Sequence, residues 1–369
     1  MVERVVVIGA GVYGAAVAAA LARRGAPVTV VDAGAPAGGT SGATFSWTNS
    51  CGKQPRAYHD LSVASMAAHR ELAAGVPHSD WYHEGGNLEW AGEDVERAAL
   101  RAKVAGVLDY GYEARWLSRA EVVRLEPDLD PAALPDGEIA YFPREGWIEP
   151  TRLVAHLLAD AVRGGAEVVR DDAVTALDVV AGAVRGVRLA SGARLPAGAV
   201  VNCAGPQAAG VAALAGLALP MRNTRGVLVY TSPVAVSVSR VVHAPRVHLR
   251  PDGAGRLLLH THEIDGAARV SESGAVVVEP SAVDAVFEWA RALYPGVRAA
   301  TVESVRVGER PIPGDGLPVL GRVAELPTFH FAVSHSGATL SVHAGDLVAA
   351  EVVGEDRDDA LAAFRFERF

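Results

Sequence analysis

The sequence predicts an α/β fold in two parts. One is a parallel nucleotide-binding sheet assembled from discontinuous segments, and the other is an α+β part built on an antiparallel sheet. Three observations predict it. Val5-Val6-Val7-Ile8 reads as a strand and runs into Gly9-Ala10-Gly11-Val12-Tyr13-Gly14, followed by an Ala-rich stretch of one helix's length. That stretch delivers Val28-Thr29-Val30-Val31, a second apolar strand, tipped by Asp32, 21 residues after Gly11. Far downstream, Ala199-Val200-Val201-Asn202-Cys203-Ala204-Gly205 reads as a buried strand ending in a glycine turn, while residues 226–262 alternate as antiparallel strands do. Gly9 permits the tight turn, Gly11 lets the backbone approach a pyrophosphate, and Gly14 lets the helix lie close on its strand. The helix N-terminus presents unpaired N–H groups to phosphates, and Asp32 is placed for ribose hydroxyls. The combined pattern specifies a Rossmann-like dinucleotide site.

The remaining elements follow in order. After Asp32 a Gly/Ala/Thr/Ser-rich loop occupies 34–42, and 55–74 carries Leu61, Ala64, Ala68 and Leu72 at helical spacing. Residues 81–90 read as strand material broken by Gly85-Gly86, and 93–110 as a helix. Pro127, Pro131 and Pro135 mark a loop. A helix is expected over 151–164, a short strand over 166–170, and a hairpin from 184–189 and 193–195 around Ser191-Gly192. The antiparallel part comprises strands at 227–230, 241–250 and 256–262, the last two joined through Asp252-Gly253. A helix over 281–293, a strand over 301–306, a Pro- and Gly-rich section over 311–331 and a final helix to about residue 353 complete the chain. The nucleotide-binding part is expected at 1–80, 140–225 and 301–369, and the substrate part at 81–139 and 226–300.

Composition narrows the function. Of 369 residues half are apolar and 21% charged, a globular composition. A net charge of −9 without a Lys/Arg block argues against a nucleic-acid surface, which needs clustered cations. A small-molecule substrate is expected instead. The chain enters its first strand within a few residues and has no run of about 20 apolar residues, so no signal peptide or membrane span is expected and a cytoplasmic location is. Cys51 and Cys203 lie far apart and form neither a disulfide framework nor a metal-like pair.

Further motifs carry a resemblance. They are Gly39-Thr40-Ser41-Gly42-Ala43, Gly146-Trp147-Ile148-Glu149-Pro150, Val201-Asn202-Cys203-Ala204-Gly205-Pro206, Gly308-Glu309-Arg310-Pro311, Asp315-Gly316-Leu317-Pro318-Val319-Leu320-Gly321 and His335-Ser336-Gly337. In this order the chain resembles, over nearly its whole length, the D-amino-acid oxidase, glycine oxidase and sarcosine oxidase superfamily of FAD-dependent amine oxidoreductases. The resemblance implies one FAD, which agrees with the lack of a second Gly-x-Gly-x-x-Gly unit for a nicotinamide nucleotide. It assigns Gly9, Gly11, Gly14, Asp32 and Ala33 to the ADP half, and Thr40 and Ser41 to pyrophosphate and flavin. It assigns Ala204 and Gly205 to the ribityl region, and Gly337, Ala338 and Thr339 to the flavin pyrimidine, where a helix N-terminus favours the negative charge of the reduced ring. Val174 is either a backbone contact to adenine or a plain core valine.

Arg310 is implied to hold a substrate carboxylate beside the cofactor, a task suited to the planar guanidinium fork. Sarcosine oxidase-like members carry a flavin-linking cysteine at that position, so Arg310 implies non-covalent FAD. Lys53 is either a second cation of the site or a loop lysine. His260 and His262 alternate along one strand with His248 beside them, which gives either a hydrogen-bonded face toward the flavin or plain packing; with no acid in sight, no metal is expected. His335 either bonds the flavin or shapes a turn, and Trp47, Tyr82 and Tyr230 are candidate pocket walls. Arg310, His260, His335 and Lys53 thus form the candidate catalytic set. The implied reaction is oxidation of the C–N bond of a small amino acid or secondary amine carrying a carboxylate. A hydride equivalent passes to flavin N5, and the imine hydrolyses to an oxo acid, with O2 or another carrier as final acceptor. The alternatives are a non-catalytic FAD-binding subunit and a flavin-dependent hydroxylase, whose closing Gly-Asp-Ala-Ala-His-like segment is replaced here by Gly314-Asp315-Gly316-Leu317-Pro318.

Overall fold

A computed structural model describes residues 3–271 and 276–369. Its nucleotide-binding sheet has six strands in the order Val319–Val323, Leu326–Val333, Ala199–Asn202, Val5–Ile8, Val28–Val31 and Glu167–Val169. All neighbours are parallel except the first pair, which is antiparallel. The central strands are buried at every position because both faces are covered, and only Thr29 and Asn202 among them are polar. Val5, Val7, Val28 and Val30 point to one side, against the helices Val12–Arg23, Pro150–Arg163 and Gly337–Val352. Val6, Ile8, Val31 and Val200 point to the other, against Phe329, Phe331 and a small sheet formed by Val174–Val180, Ala183–Leu189 and Arg194–Pro196. The Ala-rich composition of the first helix allows close approach: a Cβ on Gly345 of the last helix would stand 2.8 Å from that of Ala16.

The second large sheet has eight strands in the order Val302–Arg310, Thr224–Thr231, Arg256–His260, His248–Asp252, Val241–His243, Asn87–Glu89, Ile139–Phe142 and Arg115–Leu117. One face packs Val227, Val229, Leu249, Leu257 and Leu259 against the helix Pro280–Leu293. The opposite face holds Leu228, Tyr230 and Leu258 with Ala43 and Phe45, next to the cofactor loop. A three-stranded sheet of Trp47–Thr48, Gly146–Ile148 and Tyr82–His83 seats that loop. No helix among the described residues is long and apolar enough to cross a membrane.

Five segments differ from expectation or add to it. The segment 241–250 is two strands, because Pro245 cannot donate to a ladder and Ala244 N instead bonds Val247 O (3.0 Å), reversing the chain. The strand expected over 256–262 stops at His260, because the Thr261 hydroxyl accepts from Ile264 N (3.0 Å) and caps the helical turn His262–Asp265. The section 311–331, read only as rich in Pro and Gly, contains the strand Val319–Val323 and most of the strand Leu326–Val333, whose residues are mostly buried. Finally, Val302–Arg310 pairs with Thr224–Thr231 along its length, from Thr224↔Arg310 to Thr231↔Val302, and so lies in the eight-stranded sheet, although 301–369 was expected within the nucleotide-binding part. Ile139–Phe142, across the boundary expected at 140, lies in that sheet too.

Candidate active site

The glycine turn is built as its residue types require. Gly9 has φ 103°, a Cβ on Gly14 would meet Gly9 O at 1.7 Å, and one on Gly11 would meet Ser41 Oγ at 3.0 Å. Gly11 precedes the first helix without a side-chain cap, and Val12 N donates to Ser41 Oγ (3.1 Å). Asp32 orders the turn by accepting from Ala10 N (2.6 Å) and Gly34 N (2.9 Å), and each oxygen keeps lone-pair capacity for a hydroxyl donor. These groups border a cavity of about 830 Å3. Its lining joins Gly9, Gly11, Asp32, Ala33, Thr40, Ser41, Val174, Ala204, Gly205, Gly337 and Ala338, from segments scattered over the whole chain, with His335 at its edge.

The cradle fits a dinucleotide in shape and in chemistry: close-approach glycines, a carboxylate, and two helix N-termini without side-chain caps. Gly14 contributes through packing rather than as lining. Thr339 is 1% exposed and its hydroxyl is turned away, accepting from Asn49 N (3.2 Å) and donating to Trp47 O (3.4 Å). It ties the helix Gly337–Val352 to the loop 45–53. Thr40 borders the cavity while its hydroxyl donates to Glu309 O (2.5 Å).

A second cavity of about 820 Å3 adjoins the first through Thr40, Ala43, Thr44, Gly308, Pro311, His335 and Ala338, which border both. Its walls carry Arg310, Lys53, Lys103, Phe45, Trp47 and four histidines, His243, His248, His260 and His262. The antiparallel register makes the histidine wall: His243 pairs with His248, and His248 with His260, on adjacent strands. His262 joins from the helical turn, its ring 5.5 Å from that of His260 and 5.4 Å from that of His248. Trp47 packs on His243 at 4.2 Å. Tyr82 and Tyr230 lie elsewhere; Tyr82 stacks on His69.

Burial first, and then mutual repulsion, lowers three of these histidines. His243 lies well below the usual imidazole range, His248 is pushed down to about 3, and His262 is lowered too. His335 is held down to about 4 by burial, with Lys53 and Arg310 adding to the effect.

Arg310 lies over Gly226: a Cβ there would meet its Nη2 at 2.7 Å and Cζ at 2.8 Å. Its Nη1 donates to Arg225 O (2.8 Å) and lies 2.8 Å from Asp265, while Nη2 lies 3.1 Å from His260 Nε2. Asp265 is the acid that sequence reading did not find near the histidines; the helical turn brings it within 3.2 Å of His260 Nε2. His260, His262 and Asp265 present ligand-type atoms within 4.8 Å of one another, but the Arg310 guanidinium already balances that carboxylate.

Sequence reading also missed the groups that hold the loop 45–53. Arg250, 2% exposed, donates to Phe45 O (2.6 Å) and Ser46 Oγ (2.9 Å) and pairs with Glu149 (3.2 Å). Glu145, fully buried, accepts from Cys51 N (2.8 Å), Ser50 N (3.1 Å) and Trp47 Nε1 (3.1 Å). The motif 146–150, which follows Glu145 and contains Glu149, was the available signal.

Known proteins match this architecture end to end. The chain is 26% identical over 378 residues to glycine oxidase from Bacillus licheniformis, covering 98% of this chain and 96% of that protein. The crystal structure of glycine oxidase from Geobacillus kaustophilus superposes with a TM-score of 0.85 at 26% identity, covering 100% of this chain and 99% of the other. That of iminodiacetate oxidase from Chelativorans sp. BNC1 does so with a TM-score of 0.83 at 25% identity, covering 98% of each. With the family model for FAD dependent oxidoreductases matching residues 4–351, the chain belongs to that family, and its cofactor is FAD.

Proposed function

We propose that this FAD-dependent oxidoreductase oxidises the C–N bond of a small amino acid or secondary amine that carries a carboxylate, and that it holds FAD non-covalently. The observation that carries this reading is the position of Arg310 in a cavity that adjoins the dinucleotide cradle through a shared wall. Gly9, Gly11, Asp32, Ala33, Ser41, Ala204, Gly205, Gly337 and Ala338 would hold the FAD. Bound FAD supplies a two-electron acceptor at its N5, so the amine leaves as an imine that water hydrolyses to an oxo acid.

The chain's own residues bind and orient. Arg310 offers the substrate carboxylate the guanidinium donors not used by Asp265 and Arg225 O. Phe45, Trp47 and the histidines wall off solvent, and Lys53 and Arg310 disfavour a further positive charge, so the amine binds in its reactive, uncharged form. No acid–base dyad is required, which accords with the lowered values of His243, His248 and His335.

Anaerobic titration of the yellow holoenzyme with glycine, sarcosine, D-amino acids, L-proline and simple amines tests the reading. A carboxylate-bearing amine is expected to bleach the flavin, and amines without an acid group are not. Arg310→Ala is expected to weaken the productive ligand about 100-fold while the bound-FAD spectrum persists; an unchanged rate and affinity of flavin reduction would remove Arg310 from the site. Reoxidation by O2 or only by another carrier then separates an oxidase from a dehydrogenase.

A further inference from the structure

Three cations border the substrate cavity, and they differ in their partners. Lys103 pairs with Glu89 (2.6 Å) and Arg310 with Asp265 (2.8 Å). No carboxylate lies within 4.0 Å of Lys53 Nζ among the described residues. Lys53 Nζ instead donates to Ser336 Oγ (2.8 Å), which also shares a 2.6 Å hydrogen bond with the Tyr58 hydroxyl, and the ammonium lies 5.1 Å from the Tyr58 ring. An ammonium has three N–H donors, so a ligand can take those that Ser336 leaves. The group is fixed in place: Ser336 opens the last helix, and Tyr58 is buried on the helix Arg56–Ala74. A half-buried cation held this way, facing a cavity rather than an acid, is matched by an anion that the ligand brings.

Lys53 is also distinct in position from Arg310. His335 stands within the field of both, and its imidazole is lowered by each after burial. Because Arg310 sits against Gly226 and Asp265 and Lys53 against Ser336 and Tyr58, an anionic group on Arg310 leaves Lys53 unanswered, and a substrate with a second acidic group answers both.

Building on the amine-oxidation reading, we infer that Lys53, Ser336 and Tyr58 form a second anion subsite, and that the preferred substrate is an amino acid bearing two acidic groups. Non-oxidisable acids test binding separately from oxidation. The holoenzyme is titrated with succinate and glutarate, and with butyrate and valerate of equal chain length, and the shift of the oxidised flavin spectrum is read. The dicarboxylates are expected to bind about tenfold more tightly than the monocarboxylates, and in Lys53→Met this ratio is expected to fall to about one. Lys53→Gln, which keeps a donor for Ser336 without the charge, is expected to lose the preference too, whereas Lys53→Arg retains it. Absence of the preference in the unmodified protein, or its survival in Lys53→Met and Lys53→Gln, overturns the subsite. A protein that prefers dicarboxylates yet is bleached by no amine keeps the subsite and loses the oxidation reading. One bleached by glycine or sarcosine without any such preference does the reverse.

Discussion

Glu145 is a carboxylate buried to 0% exposure, whose partners are N–H, O–H and S–H donors rather than a bonded cation. Burial pushes it up to about 7, and the hydrogen bonds from Cys51 and Ser50 act against that rise without cancelling it. Because the folded value exceeds the ordinary one, the fold binds the proton more tightly than the unfolded chain does. Stability from this residue is complete below about pH 4.5 and is lost as pH rises to about 7, by on the order of 3 kcal/mol. Glu145→Gln keeps acceptor and donor atoms without the charge. Thermal melts between pH 4.5 and 8 should show a flatter pH dependence for the variant, and equal slopes would exclude Glu145 as the source. The residues legible in sequence were those inside motifs, such as Asp32 and Arg310. Glu145, Arg250 and His243 act through partners tens to hundreds of positions away, and single-chain spacing carries no trace of such pairs; Asp265 is only five residues from His260 and was hidden by the strand expected to run on to residue 262.

At the scale of elements, Thr224–Thr231 shows how a strand serves a site with a residue that has no side chain. Gly226 lies flat beneath the Arg310 guanidinium, opposite Gly308 in the register. Its φ falls outside the range that disfavours other residues, so alanine fits the backbone, and what it meets is the movable end of one side chain. Gly226→Ala should therefore hold or slightly raise the melting temperature, since glycine within a strand costs about 0.5–1 kcal/mol relative to alanine. It should also weaken carboxylate binding about tenfold by displacing the guanidinium; undiminished binding would mean that Arg310 acts from elsewhere. Helices were readable because their apolar period is long: 55–74 and 281–293 match Arg56–Ala74 and Pro280–Leu293 within a residue or so. Strand ends were less readable. A two-residue period holds on both sides of Pro245 and up to Thr261, and the break comes from one missing donor in the first case and one capping hydroxyl in the second.

Over the whole molecule, the dinucleotide cradle draws on the six-stranded sheet, the loop 37–44, the start of the last helix and, through Arg306 to Glu309, the eight-stranded sheet. A ligand that touches all of these binds the folded chain alone. Removing FAD should lower the melting temperature, and adding it back should restore it, with about 4 kcal/mol regained at 1,000 times Kd. An apoprotein that melts with the holoenzyme would mean the cradle does not hold FAD. The parallel sheet was legible because its motif and buried strands are local. The membership of Val302–Arg310 was not, since an edge strand looks the same whichever sheet receives it. That strand is the common wall of the molecule: Glu309 borders the dinucleotide cradle and the next residue, Arg310, borders the second cavity, the one proposed to take substrate. For protein engineering it behaves as two independent dials on one shaft. Substitutions at 309 are aimed at how tightly the flavin is kept and those at 310 at which molecules are accepted, while deleting a single residue upstream would turn both dials at once.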